Sequence, residues 1–428
     1  MRNRFSKAVC VLALVFLAAC APAVPSSSVP VPASSAPQPE ETDPQPAAQT
    51  AGPLRFYDLK DGSANEDGYY QILTNPAGTS VLTCTDFASG QRRILCGRSG
   101  CVHTDETCPA FVCTSAGQPR LVAQQNRVVL VHPRLPALGR TPPTPARVEV
   151  RATDGTGSRT VVTFEPDEAP GLYCAADHDN LYTLIDTLSD GGSVRDRRLA
   201  RVHLDDGTVE TLARLSHPRD NVMIQGVFEN RVVMKRIFEG GLSRQVPTEE
   251  WDAKINSQIH SLFFIDDQGQ EHTLVHWRQY QAAGFVYGDA CYLFYENGDL
   301  HKADFSTGRD TVLASFGSQW GKNFVDCPAK IGDMLVIEMR PRDSLPGQTT
   351  VSRFAVDTVQ GGATPLPQQI LWEGWRQPVP ILYADDRWVL AVWGTRPAAA
   401  GEFGQWNGQC PVWGVLDAED FLAGNRFA

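Results

Sequence analysis

Apolar residues along this chain come in short bursts cut by turn residues, and the bursts recur at a steady interval. The clearest example runs from Gly288 to Phe316. Gly288-Asp289 supplies a turn that tolerates positive φ, Cys291 to Tyr295 reads as an aromatic and aliphatic strand, and Glu296-Asn297-Gly298-Asp299 reads as a second turn. Leu300 to Phe305 gives a further strand, Ser306-Thr307-Gly308 turns the chain, and Asp310 to Phe316 follows. With Ala283 to Tyr287 upstream, the segment predicts four antiparallel strands, A to D, which together make one propeller blade.

The turn that opens strand B recurs at Asp67-Gly68, Asn126, Asn180, Asn230, Asp289, Asp333 and Asp386, at spacings of 59, 54, 50, 59, 44 and 53 residues. A C to D turn recurs in step, at Asp86 to Gly90, Asp154 to Gly157, Asp205 to Gly207, Asp266 to Gly269, Asp304 to Gly308, Asp357 to Gly362 and, less distinctly, Asp417. Two turn signals in phase predict an all-β protein, a β-propeller of seven four-stranded blades, with six or eight as alternatives. Strands such as Val128-Val129-Leu130 are apolar on both faces, as expected of sheets sandwiched between neighbours. A pair of β-sandwiches would not require a constant period. Leu54 to Leu59 completes either the first blade or the last.

In antiparallel blades the A–B and C–D connections emerge on one face, and the B–C and D–A connections on the other. The long insertions all fall on the second face: Cys96 to Arg120 after blade one, and the B–C loops His132 to Pro145, Thr187 to Arg197, Glu239 to His260, Arg340 to Thr350 and Gly394 to Cys410. A rigid scaffold with elaborate loops gathered on one side is expected to bind something there.

Arg2, Arg4 and Lys7 precede an apolar run from Ala8 to Ala19, too short to cross a bilayer and suited to an export signal. It ends Leu17-Ala18-Ala19-Cys20, which resembles a bacterial lipobox with Cys20 as the lipid-modified first residue of the mature chain. The expected organisation is a signal peptide over 1–19, a Pro/Ser/Ala-rich linker over 20–53 and a propeller over 54–428. At about 3.1 Å per residue the linker would reach roughly 100 Å from the membrane. Losing residues 1–19 removes three positive charges and no negative ones, leaving 35 basic and 49 acidic side chains, a balance of −14 that argues against nucleic acid.

Nine cysteines remain beyond Cys10 and Cys20, five of them between Cys84 and Cys113. The stretch holding Cys96, Cys101, His103 and Cys108 carries too few large apolar residues to order itself, so a covalent or metallic staple is expected. An exported chain favours disulfides among Cys96, Cys101, Cys108 and Cys113, with Cys84 in reach. Three thiolates and an imidazole could instead hold a structural zinc ion, and free or redox-active thiols are the third alternative. Cys174, Cys291, Cys327 and Cys410 are scattered and read as small buried hydrophobes.

The lipobox, the proline-rich tether, the tyrosine-rich blades and the Leu-Cys-x(4)-Cys-x-His-x(4)-Cys segment after the first blade resemble lipid-anchored β-propeller lipoproteins of Gram-positive bacteria, to which no activity is assigned. Their domain is similar to TolB-like and YWTD-type propellers. The resemblance covers most of the exported chain and implies a membrane-anchored protein at the cell surface, without implying catalytic residues.

Asp304-Phe305-Ser306-Thr307-Gly308 is also similar to the quinoprotein repeat, but the Trp that follows in that repeat is absent, with Val312 in the equivalent part of blade five and Ile94 in that of blade one. The chain has no Asp-box Trp, Gly-x-Ser-x-Gly elbow, His-Glu-x-x-His pair or phosphate-binding loop. Six of nine tryptophans fall in the last 57 residues, and Trp406 sits in a polar, Gly-rich loop with Phe403 and Asn407, where an aromatic has little core to enter. Trp388 and Trp393 read as blade packing. Thr248 caps a short predicted helix carrying Trp251, whose acids could form a catalytic pair but more often coat a solvated helix. The expectation is a monomeric binding module for an extracellular protein or glycan, needing no cofactor. A carbohydrate-active enzyme using loop carboxylates and a scaffold for an envelope complex are the alternatives.

Overall fold

The computed structural model describes residues 53–425 except 58–61, 116, 137–142, 190–191, 216, 218–219, 239–249, 251–252, 254–256, 280, 319–322, 342–350 and 373–374. The expected signal peptide, Cys20 and nearly all of the linker, together with Thr248 and Trp251, therefore lie outside the described residues.

Seven blades follow one another along the chain. Blade one comprises β2 to β5 (Gly62–Ala64, Gly68–Thr74, Ser80–Asp86, Arg92–Ile94), and blade two comprises β6 to β9 (Arg120–Ala123, Arg127–His132, Arg147–Ala152, Arg159–Thr163). Blade three holds β10 to β13 (Glu168–Ala176, Asn180–Leu188, Val194–His203, Val209–Arg214), and blade four holds β14 to β17 (Asn221–Phe228, Arg231–Phe238, Ile259–Ile265, Glu271–Arg278). Blade five holds β18 to β21 (Ala282–Tyr287, Ala290–Tyr295, Asp299–Asp304, Asp310–Ser315), and blade six β22 to β25 (Asn323–Ile331, Met334–Pro341, Ser352–Asp357, Ala363–Pro365). A hairpin, β26 and β27 (Gln369–Trp372, Trp375–Pro378), leads to blade seven, β28 to β30 (Ile381–Ala384, Trp388–Pro397, Gln409–Asp417), and a helix, α1 (Ala418–Leu422). The innermost strands of blades seven and one, β28 and β2, meet and close the ring.

The local chemistry of the C–D turns explains why the blades repeat. Asp86, Asp154, Asp266, Asp304 and Asp357 each turn a carboxylate back onto a backbone N–H two to four residues on, and in blade three Asp206 does the same. Such side-chain mimicry of a backbone turn specifies the hairpin from residues close in the chain. The two-faced strands then pack between neighbours. Val128 and Leu130 point into the core shared with blade one, whereas Val129 and Val131 point into the core shared with blade three. Cys291 and Leu293 face blade four while Tyr292 and Phe294 face blade six. Each fully buried side chain of this size contributes about 2 kcal/mol relative to exposure. The seven buried clusters formed by the described residues fall one at each interface between adjacent blades, which is the geometry of a seven-bladed ring.

Three sequence expectations change. The N-terminal strand β1 (Arg55–Tyr57) completes neither the first nor the last blade: it pairs antiparallel with β10 on the inner edge of blade three, in register Arg55↔Ala176 to Tyr57↔Cys174. Leu54 N–H donates to Asn230 Oδ1 at 3.3 Å and the Tyr57 hydroxyl to Ala123 O at 3.2 Å, so the segment is fastened to blades two, three and four. Blade seven consequently has three strands among the described residues. Asp417 is not a C–D turn: its carboxylate accepts from Glu419 N–H at 2.9 Å and caps α1. Finally, two expected B–C loops are partly strand: much of Thr187 to Arg197 continues β11 and β12, paired as far as Leu188↔Val194, and the ends of Gly394 to Cys410 continue β29 and β30, paired as far as Pro397↔Gln409.

Gly298 shows why a turn can demand glycine. Gly298, in the B–C turn of blade five, has φ 87°, and an added Cβ would sit 2.1 Å from Gly317 O. Gly298→Ala should cost about 2 kcal/mol through left-handed strain and backbone displacement. The check is a denaturant midpoint against wild type, with Gly78→Ala (φ 83°, no atom within 4 Å of the added Cβ) separating conformational strain from the clash.

Candidate binding surface and metal centre

Among the described residues, the most exposed aromatic side chain, Trp406, stands on the B–C hairpin of blade seven. β29 and β30 pair as far as Pro397↔Gln409, and Ala398 N–H then donates to Gly408 O at 2.9 Å. Trp406 and Gln409 exchange both backbone hydrogen bonds, at 2.8 and 2.9 Å, around Asn407 (φ 49°) and Gly408 (φ 71°). Two successive positive φ values are the signature of a tight primed turn, which the Asn-Gly pair favours. Asn407 therefore has a turn-forming role. Trp406, at the base of this turn, is 68% exposed.

The same loop is clamped from beneath. Phe403 is half-buried against the core shared by blades one and two, and Gly404 N–H donates to Thr74 O at 3.0 Å. Phe403 is therefore engaged in packing, and it helps fasten blade seven to blade one. Glu402 pairs with Arg396 (2.9 Å through Nη1) and accepts from Ala399 N–H at 2.9 Å. These bonds, the ion pair first, hold its pKa down at about 2. Glu402 thereby ties Arg396 to the backbone at Ala399 and stiffens the loop that carries Trp406. Trp388 and Trp393 lie in the blade interfaces, as expected, with Trp388 stacked on Phe87 at 6.3 Å.

The cysteine segment interrupts the outer strand of blade one. β4 pairs along Thr83 to Thr85 with β5, while at its other end Val81 bridges Phe111, Leu82 N–H donates to Ala110 O at 2.7 Å and Val112 N–H to Ser80 O at 2.9 Å. The outer strand is thus made of two pieces, Arg92–Ile94 and residues 110–112, and the loop between them carries Cys96, Cys101, His103 and Cys108. One ligand atom from each of these four lies within 4.8 Å of every other, and the group could hold a metal ion such as zinc. His103 adopts φ 58° and places Nδ1 3.2 Å from Cys108 Sγ. A hydrogen bond from the His103 backbone, aided by Cys108 and Cys96, draws the Cys101 thiol pKa down, whereas burial pushes that of Cys108 up to about 11.

The two other cysteines expected in reach stand apart from this group. Cys84 is buried in the core between blades one and two, where burial pushes its pKa up to about 11. Cys113 follows the second strand piece, with Sγ 3.2 Å from Ser115 Oγ. Cys174, Cys291, Cys327 and Cys410 are buried, and burial pushes the pKa of both Cys174 and Cys291 up to about 12.

A charged network at the seam between blades one and two had no counterpart in the sequence reading. Glu149 accepts from Arg151 Nε (2.6 Å) and Ser158 Oγ (2.8 Å) and lies 3.0 Å from His132 Nε2. Arg151 Nη1 donates in turn to Pro109 O at 2.8 Å, next to Cys108. His132, Glu149 and Arg151 are all buried. The available signal was a Glu and an Arg at alternate positions of an otherwise apolar strand, Val148-Glu149-Val150-Arg151. In the ring's centre, inner strands and β1 leave a cavity of about 590 Å³ whose lining includes Tyr57, Tyr69, Phe285, Tyr287 and Tyr383.

No protein-family model and no curated protein sequence matches the chain. Among solved structures it is similar to the β-propeller domain of the Trilobed protease from Pyrococcus furiosus, at 12% identity and TM-score 0.43, covering 89% of this chain and 99% of that one. An oligogalacturonate lyase in complex with manganese gives 11% identity and TM-score 0.42 over 83% of each chain. A protein from Lactobacillus plantarum gives 12% and 0.40, covering 86% of this chain and all of that one. The likeness is one of fold.

Proposed function

We propose that this protein is a cell-surface lipoprotein, anchored by lipid on Cys20, whose propeller binds an extracellular protein or glycan through its long-loop face. The observation that carries this reading is Trp406: a large aromatic left 68% exposed on a turn that is itself hydrogen-bonded and clamped to blade one. Leaving such a ring in water brings no stability, whereas an indole carried on a hydrogen-bonded turn costs little backbone entropy when it stacks on a sugar or fills a pocket on a partner. The reading requires no cofactor at this surface. The Pro/Ser/Ala-rich linker would give the domain reach across a cell wall, and a monomer suffices for binding.

The test is retention of the full chain on a glycan array and on purified peptidoglycan, compared with Trp406→Ala. A central aromatic anchor contributes about 2 kcal/mol or more, so affinity should fall roughly thirtyfold while the thermal midpoint stays within a degree or two of wild type. Equal retention by the two proteins would remove Trp406 from the surface and with it the reading's main support.

A further inference from the structure

We propose that Cys96, Cys101, His103 and Cys108 form a closed tetrahedral zinc site that fastens the split outer strand of blade one. Tetrahedral ligands at about 2.0–2.3 Å from zinc stand roughly 3.5–3.8 Å from one another. The four ligand atoms already lie within 4.8 Å of each other, so the ion would draw them together by about 1.3 Å at most.

The backbone supports the assignment independently. His103 occupies the left-handed region at φ 58°, which costs a non-glycine residue energy, and the result is an imidazole Nδ1 directed at the Cys108 sulfur. A disulfide would join two of the three sulfurs and leave the third sulfur and the imidazole without a shared role. A metal uses all four. Zinc displaces three thiol protons to solvent, with no change of oxidation state, and leaves a net charge of −1 on the centre. Arg98, whose guanidinium donates to Thr107 O, places a positive charge within the same loop.

Four protein ligands leave no position for water or substrate, so the ion's role is structural. It would close the excursion between Ile94 and Ala110, holding the two strand pieces in register along β4. Cys96 and Cys101 also pack on the cluster that receives Phe403, so the site supports the platform beneath the Trp406 loop.

The experiment uses the full chain without an affinity tag, purified both with and without reductant, and reads metal content by elemental analysis and by native against denaturing mass. The expected result is one zinc per chain, lost on denaturation, with Cys96, Cys101 and Cys108 alkylatable afterwards. Stripping the ion from folded protein with a chelator should expose Arg98 to trypsin. His103→Ala should reduce zinc to background, His103→Cys should restore it, and Cys84→Ala and Cys113→Ser should leave it at one. Should His103→Ala misfold, cobalt substitution of the wild-type chain decides: intense visible bands with sulfur-to-metal charge transfer support a tetrahedral thiolate site. A weak octahedral spectrum, a chain without stoichiometric metal, or a disulfide among Cys96, Cys101 and Cys108 overturns the proposal.

Discussion

Arg151→Met is expected to destabilise the protein by about 3–5 kcal/mol, far more than the loss of one ion pair at a surface would. Arg151 and Glu149 are each 6% exposed, and the substitution leaves the Glu149 carboxylate in a blade interface without its cation. It also leaves Pro109 O without its donor, at the point where the cysteine loop rejoins the outer strand. Glu149→Gln combined with Arg151→Met should recover a large part of the loss, because a neutral amide can keep the His132 and Ser158 contacts while no charge remains to be solvated. Denaturant midpoints of the four proteins in that cycle check both statements. Little change in Arg151→Met would mean that water reaches the site.

The same group sets a pH dependence. Burial alone would raise the Glu149 pKa, but the hydrogen bond from His132, the charge of Arg151 and the Ser158 bond outweigh it and lower it from 4.5 to about 2. A carboxylate depressed in the folded state contributes stability that is fully present above its unfolded value and disappears as pH falls through its folded value. The stability lost between about pH 4.5 and 2 should therefore be smaller in Glu149→Gln than in wild type.

The second large effect is expected at the C-terminal helix. Phe421 is fully buried among Val389, Ala391, Ile370 and Val379 and meets Trp393 edge-on at 6.5 Å, in the cluster shared by blades six and seven. Gln368 Nε2 donates to its backbone carbonyl, tying the helix to the segment before the β26–β27 hairpin. Blade seven has three strands among the described residues, so α1 supplies apolar cover that further strand pairing would otherwise give. Phe421→Ala should cost about 3–5 kcal/mol, from lost transfer energy plus the cavity left behind. Phe421→Leu should cost clearly less, and thermal unfolding of the two variants checks the order. Equal, small losses would show that the helix is not needed to seal the ring.

How much of this was legible follows from the range of the interactions. Blade strands could be read residue by residue because their determinants are local: Asp304 reaches Thr307 three residues away, and the Val128 to Val131 run declares by itself that both faces will be covered. The grouping of Cys96, Cys101, His103 and Cys108 was visible for the same reason, since thirteen residues span all four.

Phe403, Asn407 and Trp406 were indistinguishable as loop residues. Asn407 shapes its turn through the local Asn-Gly pair, but only the docking of the loop on blade one gave Phe403 a core to enter and left Trp406 in solvent. Glu149 meets His132 across 17 residues, Arg151 meets Pro109 across 42, and β1 finds β10 more than a hundred residues on. The sequence by itself determined the repeat, the turns and the spacing of the cysteine and histidine group, because each depends on side chains acting on their own few neighbours. The tertiary structure alone decided how the ring closes, where the first strand lies and which polar groups are buried together. Those outcomes depend on which blade becomes the neighbour of which, and no local pattern encodes that choice.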